Sequence, residues 1–138
     1  MNPTTISANT ALVYTMVIVS ASDSDMTDSE LKFIGSVVRT FPAFNGYDEE
    51  NIIRDAENCA AILGDEEGLE AVLGLIKEAV PKANVDTAYA LACDVAVADG
   101  SLAQEELRLL EMIRHTLGVD RLTAAAIERG AAARARTL

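Results

Sequence analysis

A chain of 138 residues is long enough to bury a core of its own, and 50% hydrophobic residues with only 4% aromatic suit helices packed through small and branched side chains. Twenty-two acidic residues against eleven Lys and Arg leave a formal net charge of -11. That excess repels nucleic-acid backbones and anionic bilayers, so a divalent cation or a basic protein surface is the partner expected.

Punctuation by capping residues, Gly and Pro predicts about seven helices and little strand. The first covers residues 9–22 and includes "ALVYTMVIVSA", apolar on every side. This run is about half the length a bilayer requires, and no Lys or Arg precedes it as in a signal peptide. It reads as a buried core helix of a soluble, cytoplasmic protein. The second helix, 27–40, opens on a capping box formed by Thr27 and Glu30. The third, 48–63, begins in the acids of "YDEEN", which suit the positive end of a helix dipole.

The fourth helix lies in "GDEEGLEAVLGLIKEAVP", started by acids and stopped at Pro81. A fifth runs over 84–98 with Asn84 as its cap; its "AYALACDVAVA" is again apolar almost all round, which makes the first and fifth helices the expected central pair. Asp94 interrupts that run and is read as lying on a narrow solvent-facing edge, the alternative being a paired or cation-bound carboxylate. The sixth, 102–117, carries Leu102, Leu109, Leu110, Ile113 and Leu117 along one side and ends at Gly118. The seventh follows Asp120 as N-cap, and the tail "RGAAARARTL" reads as a frayed helix end or a minor docking handle.

Cys59 and Cys93 stand far apart with no CxxC, so reduced, buried thiols are expected. His115, the one histidine, falls near the polar side of the sixth helix and is expected to be solvated. No Ser/His/Asp or Cys/His arrangement, phosphate loop or zinc spacing occurs, so the chain is expected not to be an enzyme.

A shift of 76 positions brings Asp23 onto Asp99, Glu30 and Leu31 onto Glu106 and Leu107, and Phe41 onto Leu117. The economical description is one domain over 1–138 with repeated halves at about 9–63 and 84–135, each holding a buried helix, an acidic loop and an amphipathic helix. The loop can be set against the twelve-position calcium loop of an EF-hand. With Asp99 at position 5, Gly100 takes the glycine turn, Leu102 the apolar eighth place and Glu106 the bidentate twelfth. Positions 1 and 3 would be Val95 and Val97, which carry no side-chain oxygen. In the first copy Asp23, Met26 and Glu30 take places 5, 8 and 12, Val19 and Ala21 stand at 1 and 3, and Ser24 replaces the glycine. Each copy is half of a calcium loop. Two readings stay open: capping alone, with Ser101 and Gln104 as a second capping box, or capping together with binding of a cation or a partner at Asp23, Glu30, Asp99 and Glu106.

"VADGSLAQEEL", with Asp99, Gly100 and Glu106, its weaker partner "ASDSDMTDSEL", with Asp23 and Glu30, and the apolar helix before each resemble the TerB-like family, named for bacterial tellurite resistance. The likeness covers roughly residues 9 to 130. It implies an all-α bundle of two similar halves, an intracellular location, association with tellurite or other stress responses, and a role in binding or sensing metal, calcium or another divalent cation being the cofactor to expect. Ser24 and the extra Asp25 make the first loop the less typical copy.

Overall fold

The computed structural model describes residues 5–20, 27–98 and 104–138. Among these residues seven α-helices and three 3-10 turns account for the regular structure, with no strand. The helices are α1 (Ala8–Ser20), α2 (Asp28–Thr40), α3 (Ile52–Leu63), α4 (Gly68–Ala79), α5 (Val85–Val97), α6 (Gln104–Leu117) and α7 (Arg121–Arg134).

Helix α1 lies at the centre because its middle has no side that can face water: Ala11 through Val19 are buried without a break. Its one buried hydroxyl, Thr15, donates to the Ala11 carbonyl at 2.8 Å and so needs no outside partner. Helices α3, α4 and α5 pack directly on it, and α7 packs on α5, so α1 and α5 do form the central pair. The amphipathic helices contribute one stripe each, such as Ile34, Val37 and Val38 from α2 or Leu110, Ile113 and Leu117 from α6.

Several helix boundaries follow the expected chemistry. Thr27 caps α2 through a full capping box, its hydroxyl accepting from the Glu30 amide at 3.2 Å while Glu30 Oε1 accepts from the Thr27 amide at 2.8 Å. Asp120 caps α7 through the Thr123 amide at 3.0 Å, and Gly118 ends α6 with φ at +75°.

Others depart from it. The chain over 41–51 is no continuous helix start: it makes 3-10 turns at Pro42–Phe44 and Glu49–Asn51, because Pro42 and Gly46 interrupt any longer helical run. Asp48 caps the second of these turns through the Glu50 amide at 3.0 Å. Asn84 does not cap α5 with its side chain; it ends a 3-10 turn that leads into the helix. The acids ahead of α4 form a tight turn before the helix, with Glu67 in the left-handed region at φ +57°.

Gly68 explains that turn. A Cβ there would meet the Ile62 carbonyl oxygen and stand 2.8 Å from Leu63 Cα, both parts of the α3 backbone that cannot swing aside. Replacing Gly68 with Ala is therefore expected to lower stability by about 2–3 kcal/mol, read from the urea midpoint at unchanged slope. Glu67→Gly relieves the left-handed strain and is expected to leave stability unchanged or raise it by up to about 1 kcal/mol.

Candidate functional site

Helices α1 and α5 finish at the end of the bundle where α2 and α6 begin. A pocket of about 320 Å³ opens there, lined by Val19 and Ser20 of α1, Ser29, Glu30 and Phe33 of α2, Val95 and Ala98 at the end of α5, and Glu106 of α6. Glu30 and Glu106, 76 positions apart in sequence, thus share one pocket. Both sit in the first turn of their helices, where the dipole favours a carboxylate. The ends of α1 and α5 contribute the negative pole of their own dipoles to the same region, which also favours a cation.

Of the four candidate ligands, Asp23 and Asp99 lie outside the described residues, as does the expected second capping box at Ser101. Among the described residues, no three His, Cys, Asp or Glu side chains gather closely enough to hold a metal ion. Glu30 is already engaged through Oε1 in its capping box, so a ligand there would take the other oxygen or compete with the cap.

Two further polar clusters tie helices to their neighbours. Asp55, only 3% exposed, accepts from the Tyr47 hydroxyl at 2.6 Å and the Thr10 hydroxyl at 3.0 Å, with Arg54 Nη2 at 3.5 Å from its other oxygen. Burial, and then the bond to Asp55, push the Tyr47 hydroxyl well above the usual phenol range. Between α5 and α7 the Tyr89 hydroxyl donates to Glu128 Oε2 at 2.6 Å, and burial followed by that bond raises it too. Asp94 is partly exposed on the surface of the bundle and is paired, held at 2.7 Å by Arg134 in the last turn of α7, which gives that arginine of the basic tail a structural role.

Asp55 was not singled out by the sequence reading. The signal was present, since Ile52, Asp55, Ala56 and Cys59 fall at helical spacing on one stripe, and a carboxylate on an apolar stripe calls for partners. His115 is exposed, near Arg114 at 3.2 Å, and takes no part in either cluster.

Both cysteines are free and buried, and burial pushes each thiol up to about 12. The folded-state value is raised, so the native fold favours the neutral thiol. The stability this confers is complete below the ordinary thiol value of 9.0 and is lost as pH rises toward 12. At pH 8 a thiol reagent is expected to modify Cys59 and Cys93 only as fast as the chain opens, and both at once in urea. Tyr47→Phe is expected to cost about 1–2 kcal/mol in chemical denaturation, because it leaves the buried Asp55 one donor short.

The family described as "Tellurite resistance protein TerB" matches residues 9–129. No curated protein and no solved structure matches the chain. Among the described residues no helix is long and apolar enough to cross a membrane.

Proposed function

The chain belongs to the TerB family, and from that premise we propose that it is a non-enzymatic binding module of a bacterial tellurite, metal or general stress response, acting in the cytoplasm. Its repeated acidic helix junctions hold a divalent cation. The observation that carries this reading is the shared pocket, to which α2 brings Glu30 and α6 brings Glu106. Two carboxylates fall short of the six to eight oxygens that calcium takes, so Asp23 and Asp99, one from each loop, complete the protein's donor set, with water or backbone carbonyls for the rest. A half calcium loop becomes useful when two of them face each other. The bound cation supplies charge neutralisation between the loops.

A second reading has its own support. Asp48, Glu49, Glu50, Glu57, Asp65, Glu66, Glu67 and Glu70 are all exposed, and of these the surface ion pairs engage only Glu49, with Arg39 at 3.0 Å. Such exposed acids suit a basic protein partner and no metal.

Thermal melting of the full chain with calcium, magnesium or zinc, and again with chelator, separates the two. The cation reading expects a midpoint that rises with one of these ions, falls back with chelator, and no longer responds in the Asp99→Asn, Glu106→Gln double variant. A midpoint indifferent to ions and chelator, together with salt-sensitive capture of a basic partner, replaces it with the second reading.

A further inference from the structure

Each helix of the bundle is held by what it buries, and α7 buries least. Helix α4 sends Val72, Leu73 and Ile76 into the core, and α6 sends Leu110, Ile113 and Leu117. The buried residues of α7 are Ala124 and Ala131, with Ile127 only partly covered. An alanine removes far less apolar surface from water than a leucine or isoleucine. Among the described residues α7 packs closely on one helix alone, α5, whereas α6 packs on α1, α4 and α5. Two polar clasps supplement those alanines: the Tyr89 hydroxyl donates to Glu128 Oε2 at 2.6 Å, and Arg134 Nη2 donates to Asp94 Oδ1 at 2.7 Å. Glu128 is exposed and the Arg134 side chain is 62% exposed, so water competes for both clasps and the ion pair contributes little.

The entry to α7 is built as a pivot. Gly118 turns the chain at φ +75°, and Val119 is buried, its carbonyl accepting from Arg114 Nη1 at 3.2 Å, which fixes the chain on the α6 side. Asp120 caps α7 through the Thr123 amide, a local bond that travels with the helix. On α5, Tyr89 and Cys93 are 1% and 2% exposed, and both line a groove of about 570 Å³ together with Ala131, Ala132 and Glu128 of α7. Cys93 is also close enough to α7 for the Glu128 and Arg134 charges to act on its thiol.

We propose that α7 is a hinged strap over α5: it lifts about the 118–120 turn while α1 to α6 stay folded, and the groove then opens onto Tyr89 and Cys93. Lifting breaks the two clasps and exposes two alanines. Exposing Cys59, which α3 buries in the core, means parting α3 from α1 and with it the whole bundle. The two cysteines therefore report different openings, Cys93 the release of α7 and Cys59 the loss of the fold.

The rates at which iodoacetamide alkylates Cys59 and Cys93 of the native full chain at pH 8 test this, measured by mass spectrometry of the digested protein at reagent concentrations where rate stays proportional to reagent. Cys93 is expected to react at least about tenfold faster than Cys59, because the smaller opening is the more populated. Glu128→Ala, which leaves the buried Tyr89 hydroxyl without its acceptor, is expected to speed Cys93 about tenfold, and Arg134→Ala about threefold. Ile76 is fully buried on α4, which packs on α1, and these contacts persist when α7 lifts. Ile76→Val is therefore expected to speed Cys59 by about two- to tenfold and to leave Cys93 unchanged. Cys93 reacting no faster than Cys59, Ile76→Val speeding both alike, or a Cys93 rate that Glu128→Ala does not move overturns the proposal.

Discussion

The structure depends on enclosing α1. Nine successive residues of that helix are buried, so no orientation exists in which it could serve as a surface helix. Fully burying side chains such as Leu12, Met16, Val17 and Ile18 stabilises by about 1.5–3 kcal/mol each, an amount comparable in sum with the net stability of a whole domain. Covering all sides of one rod takes several others, and α3, α4 and α5 do so directly. The remaining helices complete the cover and need only one apolar stripe each.

Enclosure also sets where polar groups go. Because α1 and α5 run together and are both apolar to near their ends, the changes of direction that follow them fall at the same end of the bundle. Glu30 and Glu106 come to line one pocket there as a consequence of packing. Elsewhere the fold accepts buried or half-buried carboxylates only with donors supplied from another element: Tyr47 and Thr10 for Asp55, Arg134 for Asp94. These bonds join helices that hydrophobic contact alone would leave free to slide.

Much of this could be read from the sequence where a pattern had one physical meaning. The all-round apolar runs of α1 and α5, the capping box at Thr27, the cap at Asp120 and the left-handed turn at Gly118 each required a single local outcome. Patterns with two local solutions were harder. Acids before a helix can stand in its first turn or in the turn ahead of it, and Asp65, Glu66 and Glu67 chose the latter because Gly68 lets α4 start against the α3 backbone. Asp94 could not be assigned its partner, since Arg134 lies forty positions away and only the packing of α7 on α5 brings them together.

The central claim is that two half loops make one site. Its most direct test is the number of calcium, magnesium or zinc ions bound per chain at saturation, measured by equilibrium dialysis with metal analysis, for the parent, Glu30→Gln and Glu106→Gln. A shared site predicts one ion per chain, lost by either replacement. Two ions per chain, with one retained in each variant, or none at all, would contradict it.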